Sequence, residues 1–188
     1  MTTRDFDLII YGASSFVGQI MTRYLAEHLG FSGTVKWAIA GRSSSKLNEL
    51  RASLGEVAAN LPIIIADADD ANALAKLCQS TRVIATTVGP YALYGEQMVK
   101  ACAENGTDYC DLCGEAYWIK RMIVKYADAA EQTGARIVSC CGFDSIPSDL
   151  GVHFLQQQGQ QRFGKYFTAI KLAVNKMKGG ASGGTLAS

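Results

Sequence analysis

The chain carries almost no net charge. Its 18 basic and 17 acidic side chains leave a formal +1 over 188 residues. No basic field points to nucleic acid, and no acidic one to a charged partner surface. Long apolar runs are missing too, since nothing approaches the ~20 residues that span a bilayer. The opening MTTRDFDLII lacks the long apolar region and small-residue cleavage site of a secretory leader, which predicts a cytoplasmic protein. Histidine is confined to His28 and His153, so no histidine-based metal centre is expected. What is present is a globular balance, 48% hydrophobic and 19% charged, enough for one domain and the start of another.

Six cysteines, Cys78, Cys102, Cys110, Cys113, Cys140 and Cys141, fall inside apolar periodic segments. A small secreted scaffold would place them in loops, so they read as reduced thiols. Cys110 and Cys113 have the spacing of a redox or zinc pair. There is no second such pair, and residues three apart on a strand face opposite ways, so both read as structural.

Apolar runs alternate with helical periodicity. Strands are predicted over 7–11, 35–40, 62–66, 82–88, 107–112 and 135–141, with amphipathic helices between them. Within 16–29, Phe16, Val17, Ile20, Tyr24, Leu25 and Leu29 form the apolar face of the first helix. Such a chain predicts an α/β fold, a doubly wound parallel sheet of the Rossmann type covered on both faces. Its expected extent is 1–145. From 146 a helix begins near Pro147, and FTAIKLAVNKM reads as a strand. Residues 146–188 are thus expected to be a linker helix and the first strand of an incomplete α+β substrate domain. That strand needs a partner, which predicts a homodimer pairing these ends or a disordered tail past about residue 160.

The first strand runs into YGASSFVG. Gly12 permits a tight turn, and Gly18 permits close helix–strand packing. The helix amides then face an anion. Gly12, Ala13, Ser14, Ser15, Phe16, Val17 and Gly18 are therefore expected to bind a pyrophosphate. Ser15 stands where such turns usually carry a middle glycine. Its Cβ displaces the phosphate or its hydroxyl donates to it, and titration of a Ser15→Gly variant separates the two.

An NAD site usually places a carboxylate after the second strand, to accept from the ribose 2′-OH. None is present. Arg42, Ser43 and Lys46 stand there instead and suit a 2′-phosphate, so NADP (as NADPH) is expected over NAD. The same absence disfavours S-adenosylmethionine. Asp67 is expected either at the adenine or as a helix cap. Val88, Gly89 and Pro90 follow the fourth strand, where the nicotinamide would lie, with Tyr91 and Tyr94 beside it.

YGASSFVG, AGR, TVGPYALYGEQMVKAC, GTDYCDLCGE, CGFDSIPSDLG and SGGTLAS occur in the order found in saccharopine-dehydrogenase-like oxidoreductases. The chain resembles that family along its length, and most closely the branch containing the trans-acting enoyl reductases. The resemblance implies an NADP-binding Rossmann domain followed by an α+β substrate domain. It also implies hydride transfer to a C=C or C=N bond of a small or lipid-linked substrate. Members are about twice this length, so the chain is expected to be the cofactor-binding half, inactive or weakly active alone. Tyr91, Tyr94, Asp144 and Ser145 are the catalytic candidates, with Asp111 and Glu115 also near the strand ends. Asp144 and Ser145 equally suit a helix cap. No tyrosine is followed four residues later by lysine, which disfavours a short-chain dehydrogenase. The competing readings are a non-catalytic dinucleotide-binding or scaffold module, and a Rossmann fold without bound nucleotide.

Overall fold

The computed structural model describes residues 4–176. Six parallel strands form one sheet in the order β3-β2-β1-β4-β5-β6. They are β1 (Phe6–Tyr11), β2 (Trp37–Gly41), β3 (Ile63–Ile65), β4 (Thr81–Thr86), β5 (Asp108–Cys110) and β6 (Ile137–Val138). The helices are α1 (Phe16–Leu29), α2 (Ser44–Ser53), α3 (Ala71–Ser80), α4 (Tyr91–Tyr94), α5 (Glu96–Asn105), α6 (Ala116–Thr133) and α7 (Ile146–Phe163). This is the doubly wound Rossmann arrangement expected. None of the described helices is long and apolar enough to cross a membrane.

Adjacent strand residues face opposite sides, so Ile9 and Ile10 belong to different cores. Ile9, Ala38 and Ile84 pack against Leu74 and Leu77 of α3, Met98 and Cys102 of α5, and Trp118 and Met122 of α6. Ile10, Ile39 and Trp37 pack against Leu47 and Leu50 of α2, with Met21 and Leu25 of α1 alongside. Helix ends follow local chemistry. Asp70 caps α3 by accepting the Ala73 amide at 2.9 Å. Gly106 and Gly134 take left-handed conformations after α5 and α6, ending both helices.

One long side chain closes the sheet's lower edge. Arg4 donates to the carbonyls of Cys78, Thr81 (2.5 Å) and Asn105 (2.7 Å), and to the Thr107 hydroxyl (2.5 Å). It thereby satisfies carbonyls at the ends of both α3 and α5, which have no partner within their helices. Two ion pairs are more exposed. Glu96 accepts from Lys125 (2.7 Å) and Tyr126 (2.9 Å), and Asp108 pairs with Arg136.

Three expectations change. Part of the α1 face that looked apolar is exposed, with Phe16 at 68%, Ile20 at 55% and Tyr24 at 59% exposure, while Leu25 of the same face packs on the core. The packed face is instead Gly18, Met21, Thr22, Leu25 and Ala26, because the helix approaches the sheet through its small residues. A Cβ on Gly18 would lie 2.2 Å from the Gly12 carbonyl oxygen. Next, residues 167–176 form no strand. A strand exists only with a hydrogen-bonded neighbour, and here the Phe167 backbone bonds the Gln156 side chain of α7 instead, N–H to Oε1 at 2.8 Å. Finally, 91–94 is a separate helical turn. The Gly-rich stretch 179–184 lies outside the described residues.

Candidate functional site: a dinucleotide cleft

The sheet order reverses between β1 and β4, and a crevice opens above their carboxyl ends. It is an open cleft of about 300 Å³, lined by Tyr11, Gly12, Ser14, Ser15, Gly41, Arg42, Ser43, Lys46, Asp67, Ala68, Asp69, Thr87, Val88, Gly89 and Tyr94. Its centre is the turn after β1. Gly12 has φ +83°, and a Cβ there would meet Val88 Cγ2 at 2.6 Å. Glycine is thus required both for the backbone conformation and for the closeness of the β4 loop.

Ser15 begins α1. Its Oγ accepts the Gly18 amide at 3.0 Å and lies 2.9 Å from Thr87 Oγ1. Thr87 donates its own proton to the Gly12 carbonyl, at 2.9 Å. With the Thr87 proton on the Gly12 carbonyl, the bond between the two hydroxyls is one that Ser15 donates. The first bond inside α1 runs from Gln19 N–H to Ser15 O. With the Gly18 amide capped, the Phe16 and Val17 amides are left at the helix N-terminus, where an anion is favoured.

Arg42 and Lys46 are exposed at the cleft's other end and make no ion pair among the described residues. Ser43 caps α2, accepting the Lys46 amide at 3.4 Å. Asp67 lines the cleft and accepts the Asp69 amide at 3.1 Å. It is not the cap of α3, a role taken by Asp70. This donor set fits a phosphorylated dinucleotide: a glycine cradle, free helix amides, and two unpaired cations where a ribose would sit.

Residues 8–138 match the family described as saccharopine dehydrogenase NADP binding domain. The chain belongs to that family. A protein named trans-acting enoyl reductase from Mycobacterium bovis (strain BCG / Pasteur 1173P2) is 47% identical over 82% of this chain and 36% of its own length. Rv2449c of Mycobacterium tuberculosis, whose name also carries the words trans-acting enoyl reductase, is 44% identical over the whole chain and 44% of itself. The chain thus spans less than half the length of these relatives. Apo saccharopine dehydrogenase (L-Glu forming) from Saccharomyces cerevisiae shares the fold, with a TM-score of 0.57 at 17% identity, over 80% of this chain and 32% of that one.

Around this NADP-binding-domain cleft the remaining predicted residues divide. Tyr94 lines the cleft. Tyr91 is buried, its ring 5.6 Å from that of Trp118 and its hydroxyl 3.4 Å from the Thr86 carbonyl. Burial pushes its pKa well above the ordinary phenol value. Asp144 is exposed and neither it nor Ser145 lines the cleft. Ser145 precedes α7 but makes no side-chain cap, because its backbone is helical (φ −116°, ψ −54°), whereas a capping residue is extended. Ala13 is fully buried beneath the turn, and Phe16, Val17, Gly18 and Pro90 frame the cleft without lining it.

Sequence reasoning missed Tyr11, Gly41, Ala68 and Asp69 in the lining, and the brace built on Asp111. That buried carboxylate accepts from Tyr109 Oη (2.7 Å), the Cys113 amide (3.0 Å), Ser139 Oγ (3.2 Å) and the Cys140 amide (3.0 Å). Desolvation, then the Asp111 charge, pushes the Tyr109 pKa up, so its phenol stays protonated and donating. The only signal for this brace was the two-residue spacing of Tyr109 and Asp111, which puts both on one face of an extended chain. Cys110 and Cys113 have free thiols, each raised chiefly by burial, to about 11 and about 12.

Proposed function

We propose that this chain is the cofactor-binding half of an NAD(P)H-dependent oxidoreductase that transfers hydride to a C=C or C=N substrate. The observation that carries the reading is one cleft holding both the glycine turn with its free amides and the unpaired Arg42 and Lys46. The Phe16 and Val17 amides would hold the pyrophosphate. Arg42, Lys46 and Ser43 would hold a 2′-phosphate, Arg42 through its planar fork. Asp67 would face the adenosine. Val88, Gly89 and Pro90 would flank the nicotinamide, with Tyr94 the catalytic candidate nearest it. The dihydronicotinamide supplies the hydride when bound, and the protein's part is to hold the acceptor against it and exclude water. The names of the 44–47% identical relatives favour a C=C acceptor.

Calorimetric titration of NADPH and NADH tests this. The wild-type chain is expected to prefer NADPH, and Arg42→Ala to lose about tenfold of that preference, the scale of a charge-assisted hydrogen bond. An unchanged NADPH/NADH ratio removes Arg42 from the reading. A non-catalytic dinucleotide-binding module is the second reading, favoured by the position of Tyr91, Asp144 and Ser145 outside the cleft lining. Turnover by a longer form carrying the substrate domain, tested on enoyl and imine compounds, separates the two. A second copy of the chain is the partner we propose for the exposed apolar side chains of α7, among them Leu150, Phe154 and Phe163.

A further inference from the structure

The loop after β5 reaches the cleft through one carboxylate. Glu115 precedes α6 but makes no side-chain bond to that helix. Its two oxygens turn instead to α4, where Oε1 accepts the Tyr91 amide at 2.7 Å and Oε2 the Ala92 amide at 2.8 Å. Helix α4 is a single turn, too short to hold itself together. Pro90 precedes it and gives it no side-chain cap. Glu115 satisfies the two amides that Pro90 leaves without partners, and its charge makes both bonds stronger than neutral ones.

This turn lies between two parts of the cleft wall. Gly89 stands before it and Tyr94 ends it, and both line the cleft. The Tyr91 ring fills the space behind Gly89, whose missing Cβ would lie 3.4 Å from Tyr91 Cε2. The Tyr91 hydroxyl receives the Leu112 amide at 3.4 Å. Behind Leu112 and Cys113 stands the fully bonded Asp111 carboxylate. Glu115 is thus the outer end of an anchored loop. Its carboxylate holds a segment of wall that belongs to neither β2 nor α2, on which the adenosine side of the cleft is built.

We infer that Glu115 is a positioning residue for the nicotinamide half of the cofactor. It fixes the Val88–Tyr94 segment against which that ring rests, while Arg42 and Lys46 hold the adenosine half independently. The inference rests on the dinucleotide reading above. Glu115→Gln tests it with little change of size: its single carbonyl oxygen serves one amide, and its NH₂ group faces the other, donor against donor.

Two nucleotides divide the cleft. NADPH, followed by its own fluorescence, reports on both halves. Adenosine 2′,5′-bisphosphate, followed by calorimetry, lacks the nicotinamide and reports on one. Glu115→Gln is expected to weaken NADPH by about tenfold and to leave adenosine 2′,5′-bisphosphate unchanged. Glu115→Asp keeps the charge and is expected to recover part of the loss. It also supplies the same contrast if the glutamine variant fails to fold. Equal NADPH affinity in the variants and the wild type overturns the inference. So does parallel weakening of both nucleotides, which marks a role in the fold alone. A wild-type chain that binds neither nucleotide overturns the dinucleotide reading itself and this inference with it.

Discussion

Ser15 shows how one side chain serves two ends. It replaces a glycine in the phosphate turn, yet its hydroxyl caps α1 and ties the turn to Thr87. Ser15→Ala is expected to cost about 1 kcal/mol, the usual worth of an N-cap, read from the urea midpoint. Ser15→Gly should cost only a few tenths of that and bind NADPH more tightly, because no Cβ then stands against the pyrophosphate. Weaker binding by the glycine variant would show the Thr87 tie to be worth more than the room it occupies. Acid stability is also set by single residues. Hydrogen bonds from Lys125, then Tyr126, lower the Glu96 pKa below 4.5, and the Arg136 side chain lowers that of Asp108 below 3.8. A lowered folded pKa means stability present above those values and lost as pH falls below them. The urea midpoint is therefore expected to decline below pH 4.5, with a shallower decline in Asp108→Asn. High salt should shrink the difference, because both pairs are solvent-screened.

At the scale of elements, the join between α1 and β1 is the tightest point in the site. Gly18→Ala puts a methyl group against backbone, not against a side chain that can move. It is expected to cost about 1–3 kcal/mol of stability and to abolish NADPH binding, both measurable on one sample by thermal shift with and without nucleotide. Retained binding would mean that α1 can shift without disturbing the turn. The strands and long helices were legible because period-2 and period-3.6 patterns are written locally, and α1 begins and ends as read. The packed side of α1 was not legible. Its Phe16, Ile20 and Tyr24 made a convincing apolar stripe, while the real contact uses Gly18 and Thr22, whose value lies in being small. Helix α4 escaped because four residues carry no period. The bonds of Glu115 and Arg4 escaped because their backbone partners lie 23 to 102 residues away, and nothing local encodes a bond from a side chain to a distant backbone. The place of the cleft was legible because the Rossmann pattern puts a crevice at the carboxyl ends of successive strands.

At the scale of the whole molecule, a six-stranded parallel sheet is followed by a helix with many exposed apolar side chains. Helix α7 buries only Gly159 and exposes Leu150, Val152, Phe154, Leu155 and Phe163. The second copy proposed above would cover part of these side chains. Sedimentation is expected to show self-association that grows with protein concentration, and a Leu150→Lys/Phe154→Lys double variant to remain monomeric while binding NADPH normally. A wild-type chain that stays monomeric at every concentration would remove the second copy as the partner. The chain is further expected to bind nucleotide while turning over enoyl or imine compounds poorly.

The Arg4 clamp reaches into practical handling of the gene. Any shortened version starting at Asp5 would take the guanidinium away from the Thr81 and Asn105 carbonyls, and it should melt earlier and express less well. An affinity tag joined ahead of Met1 leaves the guanidinium where it is. The fourth codon is one that trimming should spare.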